Sequence, residues 1–295
     1  MAEKYKLYKY RWVVLAVFMF INLTMQMLWI SYAPITGVAA QYYGVTDLKI
    51  GLLSMVFMIA FIPLSIPASW MIDKYGFKKA VGLGAVMMGV FSLARGFAGY
   101  NFSLVLLSTT GIAAAQPFLL KSWTTVPAKW FAVEERPTMV GFITLANLIG
   151  TGLGMVITPI LVEGGMDIAR VQLIYGIVTA FSVVLFIFLA RENPPTAPGP
   201  QEEQVKALML DGIKHAFTVK PFVMYLVISF VGLGIFNGVT TWIEGIVRPR
   251  GFTPTDAGLL GALMLIGGII GAVAIPALSD KQQKRQRYLF LGIGM

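Results

Sequence analysis

Asn22, Gln26 and Trp29 fall at i, i+4 and i+7 of an otherwise apolar run, so at about 100° per residue they share one face of a helix. Two carboxamides beside an indole can hold a small polar solute, because amides hydrogen-bond hydroxyls and amines while a ring face attracts a cation. The pattern recurs. Thr144, Asn147 and Thr151 share a face in a second run, and Asn237, Thr241 and Glu244 do so in a third, with Glu244 near its end. A polar side chain in a bilayer needs a partner or a water-filled cavity, so such stripes mark a pathway. They can equally be interhelical hydrogen bonds, worth about 0.6 kcal/mol each.

The stretch AAQPFLLKSWTT adds Gln116 and Lys121. Lys121 lies roughly 28 Å along its run from Phe102 at about 1.5 Å per residue, near the membrane interface. It can snorkel to the headgroups or meet an anion at the inner mouth of a cavity. Pro117 removes a helical hydrogen bond and lets this run bend. Gln116 and Lys121 are about 140° apart in a straight helix, so they cannot both face one ligand there.

Other chemistries have nothing to build on. Cysteine is absent and the one histidine, His215, lies outside the apolar runs, so nucleophilic triads, thiolate sites and metal clusters are excluded. We expect no catalytic residue, no metal and no cofactor. Deep carboxylates of the kind that carry protons are missing from the first six runs, which points to facilitated movement rather than proton symport.

The elements that must position these residues are membrane helices. The chain has 295 residues, 57% of them hydrophobic, only 13% charged, and a mean hydropathy of +0.76. A hydrocarbon core about 30 Å thick needs about 20 apolar residues per helix. Eight such runs occur, near 12–38, 50–72, 80–98, 102–127, 138–161, 169–190, 221–246 and 256–279, and a ninth starts at Tyr288. The first is too long and too polar for a secretory signal. RENPPTAPGPQEEQVK reads as a tether between bundles, giving a six-helix half over 1–190, a linker over 191–220 and an incomplete second half over 221–295.

Seventeen of the 23 basic residues fall on the side of the amino terminus and linker, which the positive-inside rule places in the cytoplasm, and five, Arg95 among them, fall with the outer loops. Because the +9 charge alternates between loop sets, it argues for a lipid bilayer and not for nucleic acid. Oligomeric state leaves no mark on the sequence, and a monomer is the working expectation.

Shifted by 207, the chain partly overlays itself. GVTDLKIGLL falls on GFTPTDAGLL, pairing Gly44 with Gly251, Thr46 with Thr253 and Gly51 with Gly258. Without a gap the same shift places Asp73 and Lys74 on Asp280 and Lys281, and Lys78 on Arg285. Duplicated halves of this kind are a common plan for transporters.

WMIDKYGFKK and LSDKQQKR resemble the paired acidic–basic signature of the major facilitator superfamily, with Ser69 and Pro276 where its members usually have glycine. KWFAVEERPTMVG is similar to that superfamily's join between helices four and five, with Glu135 and Arg136 adjacent. The resemblance implies an all-α, twelve-helix bundle of two rocking halves, of which this chain supplies the first half and part of the second. It also implies a cytoplasmic latch in which Asp73, Lys74, Lys78, Glu135 and Arg136, with Asp280, Lys281 and Arg285, pair and part as the halves rock.

YKYRWVVLAVF, MLWISY, YYGV, LSMVFMIAFIPLSIPASWMIDKYG and AAAQPFLL run close to the feline leukaemia virus subgroup C receptor-related transporters. Members move choline and ethanolamine and have been linked to haem, and Trp29 matches the family's helix-one cage tryptophan. Asn237 stands where its helix-seven tyrosine does, and Leu148 where a helix-five glutamine does. The expected function is secondary transport of a small polar or cationic metabolite, a choline- or ethanolamine-like amine foremost, through Asn22, Gln26, Trp29, Gln116, Lys121, Asn147, Asn237 and Thr241. The alternatives are an organic-anion carrier using Lys121 and a receptor or scaffold that transports nothing.

Overall fold

The computed structural model describes residues 6–198 and 217–282, with side chains up to residue 271. Arg285 and the run from Tyr288 lie outside the described residues, as do the side chains of Asp280 and Lys281. The described residues form helices and no strand. They are α1 (Arg11–Ile30), α2 (Thr36–Tyr43), α3 (Asp47–Tyr75), α4 (Phe77–Phe97), α5 (Phe102–Leu120), α6 (Thr125–Trp130), α7 (Arg136–Glu163), α8 (Ile168–Leu189), α9 (Lys220–Thr241), α10 (Ile243–Val247) and α11 (Pro254–Gln282).

Eight spans of membrane length result, α1 with α2 forming the first, and they coincide with the eight apolar runs. Two of the runs are interrupted. In the first, α1 stops at Ile30 and a 3₁₀ turn over Ala33–Ile35 leads into α2. Pro34 causes this, since it offers no N–H to the Ile30 carbonyl and its ring crowds that oxygen. The seventh run breaks at Trp242, where ψ reaches 15°, and ends in a 3₁₀ turn over Arg248–Arg250. Asn237 and Thr241 therefore share a helix that Glu244 does not, and the straight-helix stripe expected there is broken.

The repeat extends to the element boundaries. α3 and α11 each hold 29 residues and begin and end 207 positions apart. Before each stands a glycine in the left-handed region, Gly44 at φ 63° and Gly251 at φ 84°, a conformation that costs other residues about 1 kcal/mol or more. One turn into each helix, Gly51 and Gly258 give close approach: a Cβ at Gly51 would sit 2.5 Å from the Trp242 ring, and one at Gly258 2.2 Å from the Met155 carbonyl oxygen.

Within the first half, α1 packs on α7 and α8, and α4 on α5 and α8. Phe18, Ile21, Met25, Phe57, Met88 and Ile112 fill the shared core. The second half touches the first through α11 against α7 and through α10 against α2 and the 3₁₀ turn before it.

Candidate functional site

The first polar stripe lies inside the bundle. Asn22 is buried and its Nδ2 donates to the Phe18 carbonyl at 2.8 Å. Asn147 repeats the arrangement on α7, donating to Ile143 at 2.8 Å. Only the NH₂ end of a carboxamide can donate, so these bonds leave the oxygens facing away. Asn22 Oδ1, Asn147 Oδ1 and Gln26 Oε1 are all buried and without a partner among the described residues. Gly150 lets α1 and α7 meet, since a Cβ there would lie 2.2 Å from the Leu23 carbonyl oxygen. That contact brings Asn22 and Asn147 to nearly the same height, within a turn of one another. Trp29 is buried about two turns beyond Asn22 and one beyond Gln26 on α1, where its carbonyl accepts from Ser54 Oγ at 3.4 Å. The arrangement supplies acceptors and a ring, which suits a ligand rich in N–H or O–H groups or carrying positive charge.

The remaining candidates are more dispersed. Gln116 is buried on α5 and has no hydrogen bond to a described residue. Thr241 is buried with its hydroxyl unpartnered, whereas Asn237 is half-buried and bonds back to Leu233 at 2.8 Å. Lys121 caps the end of α5, exposed, with its ammonium 5.6 Å from the Phe61 ring. That position suits a lysine that snorkels. Leu148, at the position of the family's glutamine, lines an apolar cleft of about 300 Å³ between α7 and α11 with Leu265 and Ile269.

The acidic–basic loops at the amino-terminal end are knitted within the first half. Arg11 holds Glu135 in a bidentate pair at 2.6 and 3.1 Å. Arg136 donates to the Phe131 carbonyl at 3.4 Å. Asp73 is exposed and makes no ion pair among the described residues, while Lys74 lies over Trp70 at 4.8 Å. The hub is Glu192, which sequence reasoning left in the tether. It accepts from the backbone N–H groups of Phe77 at 3.1 Å and Lys78 at 2.7 Å, and pairs with Lys129. It thus caps α4, whose first turn contains no acidic residue.

Two further residues escaped the sequence. Arg95, counted with the outer loops, is 1% exposed in the last turn of α4. It donates to the Leu28 carbonyl at 3.1 Å and to Ser31 Oγ at 3.4 Å, and so supplies from another helix the cation that the end of α1 lacks. Pro34 was the available signal for a free carbonyl end needing such a donor. Glu244 is 2% exposed and accepts from the Gly37 N–H at 3.1 Å, joining residues 207 positions apart across the two halves. Arg248, 3.5 Å from Glu244, pairs with Asp47 of the first half, and Thr255 donates to Glu163. These contacts all lie at the end remote from the amino terminus, the outer end by the charge rule.

The fold is shared with solved transporters. A bacterial homologue of the human lysosomal transporter Spinster, inward-facing and unoccupied, superposes with a TM-score of 0.78 at 16% identity, over 94% of this chain and 64% of that one. A D-xylose–proton symporter gives 0.58 at 14% identity, over 93% and 70%. In sequence, solute carrier family 49 member A3 of Xenopus tropicalis is 29% identical over 95% of this chain and 61% of its own length. The choline/ethanolamine transporter flvcr2a of Danio rerio is 24% identical over 98% and 66%. The choline/ethanolamine transporter FLVCR1 of Felis catus is 27% identical over 89% and 50%. The chain thus spans about 60% of the length of the first relatives it matches, 61% and 62%. The profile described as Major Facilitator Superfamily covers residues 14–295, and with the duplicated helices and the eight spans it makes this chain a multi-pass membrane protein belonging to that superfamily.

Proposed function

We propose that the chain serves secondary transport of a small polar or cationic metabolite, a choline- or ethanolamine-like amine, by rocking of its two halves. The observation that supports it is the set of three buried carboxamide oxygens, on Asn22, Gln26 and Asn147, left without donors among the described residues, with Trp29 one turn beyond Gln26. An ammonium or hydroxyl donor between α1 and α7 would satisfy them, where a carboxylate would be repelled. The printed names of the choline/ethanolamine relatives agree with that chemistry.

In this reading residues 1–190 form one moving body and 221–295 belong to the other, joined by the tether over 191–220, with the amino terminus in the cytoplasm. Gln116 and Thr241 complete the wall of the crevice, and Asn237 and Lys121 stand at its margin. The halves meet at their outer ends and Asp73 makes no ion pair among the described residues, as a latch would when the cytoplasmic side is open. Movement is facilitative, driven for a cation by the membrane potential at about 2.3 kcal/mol per charge per 100 mV.

Uptake of labelled choline, ethanolamine and a panel of organic anions into proteoliposomes tests the reading. Saturable uptake of an amine that Asn22→Leu abolishes is the expected result. Uptake of the anions alone, lost in Lys121→Gln, would overturn it.

A further inference from the structure

At the outer seam two carboxylates share one guanidinium. Arg248 pairs with Asp47 on the opposite half and lies 3.5 Å from Glu244 on its own. On the elements around Glu244 the other charged or titratable groups are Lys49, exposed on α3 two residues from Asp47, and four that bond elsewhere. Arg250 donates to the Ile246 carbonyl at 2.8 Å, Asp256 caps Thr253 at 2.9 Å, Tyr42 donates to Asp167 at 2.8 Å, and Tyr43 bonds Tyr32 at 3.0 Å. Of the cations at the closed seam only Arg248 lies within 4 Å of the buried Glu244, and it is shared with Asp47. Parting the halves relieves this, because Glu244 keeps Arg248 one turn away and Asp47 is returned to water.

We propose that Asp47, Arg248 and Glu244 form a proton site at the outer seam, and that taking up one proton there holds the seam shut. A protonated Glu244 still accepts from the Gly37 N–H through its carbonyl oxygen, and Arg248 is then free to serve Asp47 alone. The side chains of Asp47 and Arg248 remain 39% and 44% exposed, so the proton exchanges with the outer solution. It enters and leaves on one side, which makes closure sensitive to outside pH without net proton movement. This inference rests on the rocking of the two halves proposed above.

The sign follows from burial. Desolvation raises the Glu244 carboxyl above its ordinary range, with Arg248 and the Gly37 N–H pulling the other way and Asp47 adding to the rise. In the open seam that burial is lost. Closure is therefore favoured fully below the ordinary carboxyl range, and the advantage disappears as pH rises through the raised value.

The chain has no cysteine, so spin labels at Gln41→Cys and Phe252→Cys, uncharged and exposed on opposite halves, report the seam directly in lipid nanodiscs. For one proton the ratio of closed to open changes by at most about tenfold per pH unit. We expect the short-distance population to gain at least about fivefold over the long one between about pH 8 and about pH 5. Glu244→Gln, neutral at every pH, stays short throughout. Arg248→Gln leaves two carboxylates facing each other, lengthens the distance at neutral pH and regains the short one in acid. A distance that shifts with added choline but not with pH overturns the proton site and leaves the transporter reading standing. A distance that nothing shifts overturns both.

Discussion

The two broken helices of this molecule differ in what holds the break. In the first, Pro34 severs α1 from α2, and Arg95 reaches from α4 to the Leu28 carbonyl at 3.1 Å, so the interruption is anchored inside its own half. In the second, α9 gives way to α10 at Trp242 with no proline at the break, and what steadies the segment is Gly37 and Asp47 of the other half. The same architecture 207 residues apart thus has opposite mechanical characters. One break is a fixed support, and the other leans on its neighbour and is released when the halves separate.

The sharpest way to break this comparison is Arg95→Ala. It removes hydrogen bonds from a charged donor and leaves a cavity in the first half, for a loss of about 3 kcal/mol seen as a lowered melting temperature. Glu244→Ala should cost far less in stability while opening the outer seam. Equal losses from the two would show that the breaks are not differently anchored. Next comes Gly258→Ala, whose new Cβ meets the Met155 carbonyl oxygen at 2.2 Å. Backbone cannot swing aside, so α11 and α7 must separate, at about 2 kcal/mol. Thiol labelling of a cysteine placed at Thr255 should then accelerate.

Much of this was legible beforehand. Eight apolar runs gave eight spans because bilayer thickness leaves a helix little choice of length. The duplicated GLL segment set α3 and α11 in one register, though the helices extend beyond the apolar runs 50–72 and 256–279 at both ends, because Thr46 and Thr253 cap them after a glycine in the same left-handed turn. The interruptions were less visible. A hydrophobic run looks continuous whether or not its backbone is, and only Pro34 signalled one of the two. Arg95 and Glu192 were misread for a related reason: a charge near a helix end looks like a loop charge until tertiary packing shows which orphan backbone group it serves. The unpaired oxygens of Asn22 and Asn147 were likewise beyond reach, because the stripe identified the residues but not which end of each amide was free.

Smaller effects test the inner end of the bundle, where the described ion pairs stay within the first half and the start of the tether. Glu192→Gln loses the charge that caps α4 and pairs with Lys129, and should cost about 1 kcal/mol in unfolding experiments. Asp73→Asn should leave stability unchanged, because this aspartate is exposed and makes no ion pair among the described residues. Under the latch proposal it slows uptake at unaltered ligand affinity. A drop in melting temperature comparable to that of Glu192→Gln would instead make Asp73 part of the static scaffold.

The central claim is that the donor-free oxygens between α1 and α7 receive a cationic or hydroxylated solute. Calorimetric titration of the purified chain with choline and ethanolamine, repeated on the Asn22→Leu, Asn147→Leu double variant, tests it most directly. Saturable binding to the parent that weakens at least about tenfold in the variant, two lost hydrogen bonds being worth about 1.4 kcal/mol or more, is the predicted outcome. Amine binding that persists undiminished in the double variant would contradict it.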